Sequence, residues 1–312
     1  MKYFDLHSDT ALALLYKGTS LFSNDNHVSI EKAEVFEKYS QAFAFFALSK
    51  LNDDEAYEKM LNMSSALTAE VKKFSDKAVI VKSSKEYKEN EKSDKILVLP
   101  AVEDARILGS DLERMNILKD IGVWYLTMLW GGDTVIGGSH NTDNGLTDLG
   151  KKAVRKAFDC GIVPDISHAS EKSASDILSI AEEVGKPVIA SHSNSYTVYS
   201  HSRNLRDCHL KRLLALKGIV GISLCDAHLA DKTPSTTCMD DVIRHIEYYL
   251  DFGCEDSLCI GADWDGTTLP CDMHDIRDAK RLYDVLLSRN YSEALLDKVF
   301  YTNAYNFYIN NL

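Results

Sequence analysis

The sequence predicts an α/β fold in which residues 1–312 form a single domain, a (β/α)8 TIM barrel. Eight short runs of apolar, β-branched or aromatic residues recur along the chain, and polar stretches with helical periodicity lie between them. This alternation is typical of parallel βα units. The 312 residues are close to the largest size that one hydrophobic core supports, and no Pro- or Ser-rich linker divides them. One large barrel is therefore expected.

The predicted strands are mostly apolar, several of them almost throughout, as expected for parallel strands that are covered on both faces. In chain order they span residues 2–7, 41–48, 96–102, 123–130, 162–168, 187–192, 219–225 and 258–263.

Four helices can be read between these strands. Residues 53–74 space apolar side chains at threes and fours, which gives one apolar stripe. A second helix begins after Ser170, a good N-cap, and ends near Gly185. Residues 239–252 and 276–287 repeat the pattern, whereas the Lys- and Glu-rich segment 82–95 is expected to be an exposed helix or loop.

Charge and cysteine content narrow the possible partners and compartment. The chain has 47 acidic and 35 basic residues, a net charge of −12, so nucleic acid and anionic membrane surfaces are not expected partners. No signal peptide or membrane span is predicted. Seven cysteines without a CxxC pair predict neither a disulfide framework nor a thiolate zinc site, which favours a reducing cytoplasm.

Functional groups of such barrels lie at the C-terminal ends of the strands. Five predicted strands end in potential metal ligands. Alternation along the first strand would point His7 and Asp9 to the same side. The full set of candidates is His7, Asp9, Glu103, His168, His192 and Asp263. Burying these polar groups without a metal would be unfavourable. Imidazole and carboxylate without thiolate suit zinc, manganese, iron or cobalt. Six candidates favour two ions, bridged by a carboxylate and a hydroxide, and composition leaves open which carboxylate bridges.

Other chemistries have less support. The glycines of residues 131–138 fit neither the Walker nor the dinucleotide-binding pattern, and they predict a mobile loop over the barrel mouth. Cys225 ends an apolar strand and is expected to be a core residue rather than a nucleophile. The sequence has no GxSxG motif of a serine hydrolase.

Several motifs occur together in one order along the chain. They are DLHSDT at 5–10, VED at 102–104, GLT with a further glycine at 145–150, DISH at 165–168, SHSN at 191–194, HSRNL at 201–205 and GADWDG at 261–266. With these motifs the sequence resembles the renal (membrane) dipeptidase family of zinc peptidases, peptidase family M19, among the metal-dependent hydrolases of the amidohydrolase-like superfamily.

The resemblance implies a two-zinc site. His7 and Asp9 would bind one zinc ion, His168 and His192 the other, and Glu103 would bridge them.

The resemblance also implies an activity, the hydrolysis of dipeptides with free N- and C-termini by a hydroxide that both metal ions bind. Arg203 matches the arginine that grips the substrate carboxylate, a role that suits its planar fork of donors. Asp263 matches the aspartate that faces the hydroxide and the substrate's amino end, and we expect it to carry the proton to the departing amine. The small-molecule dipeptide is the expected partner, and the resemblance implies a homodimer.

Two positions depart from the family pattern. Trp130 stands where the family often has a histidine that contacts the scissile carbonyl oxygen, so it is expected to line the substrate site. An indole donates one hydrogen bond but carries no positive charge. We expect His140, ten residues later, to be a solvent-exposed loop residue. Asp104 after Glu103 replaces a common glycine and implies a different backbone shape there.

Two alternative functions stay open at this point. The same barrel and metals could act on another amide, a lactam, an ester or an N-acyl amino acid if Trp130 remodels the carbonyl pocket. A metal-binding barrel that has lost catalysis is the other alternative, but the presence of both Arg203 and Asp263 argues against it.

Overall fold

The computed structural model describes residues 1–46, 50–233 and 236–312. This part of the chain contains nine strands: β1 (Lys2–Ser8), β2 (Lys38–Phe46), β3 (Ala78–Ile80), β4 (Ile96–Glu103), β5 (Tyr125–Thr127), β6 (Val163–Asp165), β7 (Ile189–Ala190), β8 (Ile219–Ile222) and β9 (Leu258–Ile260). Eight of them, β3 excepted, pair in parallel in chain order, and β9 pairs with β1. The predicted closed (β/α)8 barrel is confirmed.

The strands differ from the prediction in two respects. The additional strand β3 pairs with the first half of β4, from Ala78 opposite Ile96, and its three residues are too short a run to be counted from sequence. Several predicted strands are also too long, because β6, β7 and β9 end at Asp165, Ala190 and Ile260 and the candidate ligands lie in the turns that follow. Of the predicted strand 41–48, residues 47 and 48 lie outside the described residues.

The described residues form twelve α-helices around and below the barrel: α1 (Thr10–Lys17), α2 (Ile30–Ala33), α3 (Asp53–Lys73), α4 (Ser84–Asn90), α5 (Arg114–Ile121), α6 (Asp148–Cys160), α7 (Glu171–Val184), α8 (Asp207–Ala215), α9 (Met239–Asp251), α10 (Arg277–Ser288), α11 (Glu293–Asp297) and α12 (Asn303–Asn311). None of these helices combines the length and apolar character needed to cross a membrane.

The four predicted helices are confirmed as α3, α7, α9 and α10. A capping box between Asn52 and Glu55 starts α3, and the Ser170 side chain accepts a hydrogen bond from Ser173 N at the start of α7. In the segment predicted to be exposed, α4 forms, but its Tyr87 is fully buried. That part of the prediction was wrong because Tyr87 packs on Phe4, with ring centroids 6.0 Å apart.

Two apolar clusters hold the barrel together. The larger one lies between the strands and the surrounding helices. The smaller one takes residues from every barrel strand, so it fills the barrel interior, and Phe307 and Tyr308 of α12 belong to it. Tyr308 packs 6.4 Å from Phe4 near the start of β1. The C-terminal helix therefore closes the N-terminal end of the barrel and leaves the opposite end for the site.

Candidate metal centre

The candidate ligands converge at the C-terminal end of the barrel. Two groups of three have ligand atoms within 4.8 Å of one another among the described residues. One group is His7, Glu103 and His192, and the other is His7, Asp9 and Asp263. His168 lies beside the first group, because its Nε2 is 3.0 Å from Glu103 Oε1.

Asp9 reaches this place in a way that differs from the prediction. It follows β1 instead of continuing it and forms the N-cap of α1. The pairing of β1 with β2 also shifts register between Asp5 and Ser8. Regular strand alternation is therefore not what brings His7 and Asp9 together, since the strand is irregular there and ends first.

Glu103 lies between the two halves of the site. Its Oε1 is 3.0 Å from His168 Nε2 and 3.4 Å from His192 Nε2, and its Oε2 is 3.6 Å from His7 Nε2. The side chain is 3% exposed. Each carboxylate oxygen thus faces a different set of imidazole nitrogens.

The His7 ring is buried and fixed from below. Its Nδ1 is 2.8 Å from the hydroxyl of Tyr125, which itself donates to the carbonyl oxygen of Leu6 at 2.8 Å. The opposite nitrogen, Nε2, has no hydrogen-bond partner among the described residues, and Asp9 Oδ1 also has none. Buried polar atoms without partners are rare in proteins, and these two lie in the same group of potential ligands.

Three carboxylates share this buried space, and burial raises the pKa of each. The pKa of Glu103 is raised to about 8 and that of Asp263 to about 6, while the pKa of Asp9 rises well above its ordinary value. The Glu103 carboxylate adds to the rise at Asp9 and Asp263 by like-charge repulsion. Positive charge placed among these groups would relieve that repulsion.

Burial has the opposite effect on the imidazoles. It lowers the pKa values of His168 and His192 well below their ordinary range, and the Arg203 guanidinium lowers both further. Both rings are therefore neutral at pH 7, which is the form that binds a metal ion.

The turns that carry the site hold unusual backbone. Asp104, His168 and Asp263 have φ values of 81°, 65° and 65°, in the region that favours glycine. Asp104 thus has a backbone conformation that favours glycine, and Arg106 donates its backbone N–H to Asp104 Oδ1 at 3.1 Å. Strain of this kind clusters at functional sites.

The absence of a side chain at Gly266 leaves space for the carboxylates of Asp9 and Asp263. A Cβ atom at this position would overlap Asp9 Oδ2 and Asp263 Oδ1. Any larger residue would displace both side chains.

Arg203 lies beside the ligands and is 4% exposed. Its Nη2 donates to the carbonyl oxygen of His192 at 2.9 Å, and its Nη1 donates to Ser193 Oγ at 3.1 Å. Its Nε has no hydrogen-bond partner in the described part of the chain. Cys225, which lies near Arg203 and Asp263, is buried, as expected of a core residue.

Trp130 and His140 flank His168. The Trp130 ring centroid is 6.1 Å from that of His168 and 4.8 Å from that of Phe46. The His140 ring is 5.8 Å from His168, and its backbone N donates to the carbonyl oxygen of His168 at 2.7 Å. The expectation of a solvent-exposed His140 was wrong, because this hydrogen bond holds the residue half-buried at the site. Burial lowers the pKa of His140 to about 4.

Sequence reasoning did not identify the residues that support the ligands. The Tyr125 hydroxyl contacts His7 Nδ1, and Ser191 contacts both His192 Nδ1 and Asp165. Tyr125 is a typical β-strand residue, and the motifs that contain Ser191 and Asp165 gave these two residues no role. The only available signal was that Asp165 and Ser191 belong to motifs that also contain His168 and His192.

The residues present fit a metal centre on three counts. Imidazoles and carboxylates converge, buried ligand atoms lack partners among the described residues, and the Glu103 carboxylate repels those of Asp9 and Asp263. A closed barrel with such a cluster at the C-terminal end of its strands belongs to the class of (β/α)8 metalloenzymes.

Comparison with known proteins identifies the family. The family model for membrane dipeptidase (peptidase family M19) matches residues 1–307. The chain belongs to this family and is a metal-dependent dipeptidase, which confirms the resemblance seen in the motifs.

The chain is also similar to individual proteins. An uncharacterized Klebsiella pneumoniae protein in the pqqA 5′ region is 30% identical over 223 residues, 68% of this chain and 81% of that relative. Dipeptidase tcpJ of Claviceps purpurea (strain 20.1) is 29% identical over 220 residues, 68% of this chain, and the match spans half of that longer protein. The fold matches a metallopeptidase crystal structure from Rhodobacter sphaeroides, liganded with a phosphinate mimic of the dipeptide L-Ala-D-Ala, with a TM-score of 0.92, 22% identity and coverage of 100% and 99% of the two chains.

Proposed function

We propose that the chain hydrolyses dipeptides with free amino and carboxyl ends at a two-zinc centre held by His7, Asp9, Glu103, His168 and His192. The placement of Glu103 carries this proposal. Its two oxygens face different imidazoles, Oε1 at 3.0 Å from His168 Nε2 and Oε2 at 3.6 Å from His7 Nε2. A carboxylate in this position suits a bridge between two ions.

Zinc suits the donor set, which is imidazole and carboxylate. When bound, the two ions lower the pKa of a water molecule and polarise the substrate carbonyl. His7 and Asp9 would hold one ion, and His168 and His192 would hold the other. The missing partners of His7 Nε2 and Asp9 Oδ1 support the first of these assignments.

Asp263 is the proposed proton carrier. Its Oδ1 is 3.9 Å from His7 Nε2, and its side chain is 15% exposed, so it lies at the open side of the buried cluster. Burial raises its pKa to about 6, close to the value that suits a general base at neutral pH. Asp263 takes a proton from the attacking water and delivers it to the nitrogen of the departing amino acid.

Arg203 binds the substrate carboxylate. Its bonds to the His192 carbonyl and to Ser193 fix the plane of the guanidinium, and its Nε is without a partner among the described residues. A fixed planar donor orients a carboxylate well. Trp130 lines the same pocket, where its indole and Phe46 offer an apolar surface to a substrate side chain.

Three further assignments complete the proposal. Residues 1–312 act as one domain, the protein works in the cytoplasm, and it forms a homodimer. The seven cysteines, all of them free, support a reducing compartment.

A substrate screen tests the proposal. The zinc-loaded protein is assayed against L,L- and L,D-dipeptides, dipeptide amides, N-acetyl amino acids and lactams. The expected result is cleavage of at least one free dipeptide, its loss with a chelator and its return with zinc. Activity confined to substrates without a free carboxylate would instead favour the other amide substrates and remove the role of Arg203.

A further inference from the structure

The hydrogen bonds that join His192, Ser191 and Asp165 allow only one assignment of donors and acceptors. Its Nδ1 is 2.6 Å from Ser191 Oγ, and Ser191 Oγ donates to Asp165 Oδ2 at 2.5 Å. A serine hydroxyl has one hydrogen, and a carboxylate accepts only. Because the hydrogen of Ser191 goes to Asp165, Ser191 can only accept from His192, so the proton of this ring is on Nδ1.

The remaining contacts of Asp165 keep its carboxylate in this orientation. Oδ1 accepts the backbone N–H groups of Ser167 and Ser191, each at 2.9 Å. Oδ2 accepts the hydroxyl of Thr127 at 2.7 Å in addition to that of Ser191. The side chain is fully buried, so water does not compete for these bonds.

His7 shows the same arrangement with different residues. The hydroxyl hydrogen of Tyr125 goes to the carbonyl oxygen of Leu6, so Tyr125 accepts from His7 Nδ1. In both rings the other nitrogen, Nε2, lies on the side of Glu103, at 3.6 Å from Oε2 for His7 and 3.4 Å from Oε1 for His192. His192 Nε2 also lies 3.0 Å from His168 Nε2, from which it can accept a hydrogen bond.

We propose that Asp165, acting through Ser191, is a positioning residue that fixes the proton of His192 on Nδ1 and so presents Nε2 as a metal ligand, as Tyr125 does for His7. This inference rests on the proposed metal centre. Groups that orient metal-binding histidines typically change metal affinity by about 10- to 100-fold when they are removed.

Asp165→Asn tests the direction of the hydrogen bonds from His192 through Ser191 to Asp165, because asparagine has nearly the same shape as aspartate. The amide oxygen must stay on the side of the two backbone N–H groups, so the amide nitrogen takes the place of Oδ2. It then donates to Ser191, whose hydrogen turns toward His192 Nδ1 and moves the ring proton to Nε2. We expect zinc binding about 10- to 100-fold weaker than wild type by chelator competition.

Asp5→Asn is the matched control. Asp5 is equally buried and accepts the N–H of His7 at 2.9 Å and of Ala262 at 3.2 Å, but its carboxylate contacts no ring nitrogen of a ligand in the described residues. The amide oxygen that Asp5→Asn keeps can still accept the N–H of His7, so the turn after β1 is expected to stay in place. This variant is expected to lose stability as Asp165→Asn does and to keep the zinc dissociation constant within about twofold of wild type, since it does not change the hydrogen bond of any ligand ring.

Nitrogen NMR of histidine-labelled full-length protein, with zinc removed, reads the ring proton directly. Wild type and Asp5→Asn are expected to carry the His192 proton on Nδ1, and Asp165→Asn on Nε2. A wild-type proton on Nε2, or equal zinc affinity of Asp165→Asn and wild type, would overturn the inference. The wild-type spectrum decides the matter even if Asp165→Asn does not fold. Failure of the wild type to bind zinc would instead overturn the proposed metal centre, so the two failures are distinguishable.

Discussion

Asp5 and Asp165 accept matching pairs of backbone N–H groups on opposite strands of the barrel. Asp5 on β1 binds the N–H of His7, two residues later, and that of Ala262 after β9. Asp165 on β6 binds the N–H of Ser167, also two residues later, and that of Ser191 after β7. Beyond the ends of the strands, these buried carboxylates thus accept backbone N–H groups that would otherwise need a partner in the sheet. They fix the turns that carry the candidate ligands.

Asp263→Asn separates proton transfer from metal binding. Asparagine keeps the size of the side chain but cannot accept a proton at neutral pH. We expect kcat to fall by about 10²- to 10⁴-fold, the usual contribution of a general base, with the zinc content retained. Steady-state kinetics and elemental analysis of one preparation measure both. Undiminished turnover would remove Asp263 from the mechanism.

Arg203→Lys tests recognition of the substrate carboxylate. Lysine keeps the charge but loses the planar fork, so KM for a free dipeptide is expected to rise by about 10- to 100-fold, consistent with one charged hydrogen bond. The matched measurement uses the same dipeptide as its C-terminal amide, which has no carboxylate to lose. If both substrates lose activity equally, Arg203 acts by supporting His192 and not by binding substrate.

Gly266→Ala is expected to disrupt the site through its carboxylates. The added methyl group would displace Asp9 and Asp263, so zinc affinity and kcat/KM should each fall by more than about tenfold. Gly131→Ala is the control, because a Cβ atom at Gly131 meets nothing within 4 Å. Parallel zinc titrations of the two variants check the prediction, and equal affinities would contradict it.

His245 gives the fold a dependence on pH. Its Nε2 donates to the carbonyl oxygen of Leu229 at 2.9 Å, and its Nδ1 accepts from Ser195 N at 3.1 Å. Both nitrogens of the neutral imidazole therefore have a hydrogen-bond partner. Burial lowers its pKa from 6.5 to about 4. The unfolded chain therefore binds this proton first, and stability present above pH 6.5 is lost as the pH falls toward 4, by about 3 kcal/mol.

Urea unfolding of wild type and His245→Gln between pH 7 and pH 4, both in chelator, measures this contribution. Glutamine does not titrate, so the free-energy difference between the two proteins should shrink as the pH falls. If this free-energy difference stays constant with pH, His245 does not cause the expected loss of stability.

The barrel and the polar residues that follow its strands could be predicted from sequence because both depend on local patterns, whereas the exact ends of β6, β7 and β9 could not. Apolar runs mark the strands, and His168 or Asp263 stands out as a polar residue after such a run. Other features depend on contacts between distant segments. Tyr125 matters only because β5 places it under His7, and His140 is at the site only because its backbone bonds to that of His168.

Anomalous X-ray diffraction at the zinc edge, on crystals of the zinc-loaded protein, tests the two-metal account most directly. Glu103 faces His7 with one oxygen and His168 with the other. The account predicts two zinc peaks, one on each side of this carboxylate, the first next to Asp9 and the second next to His192. A single peak, or zinc bound away from Glu103, would contradict it.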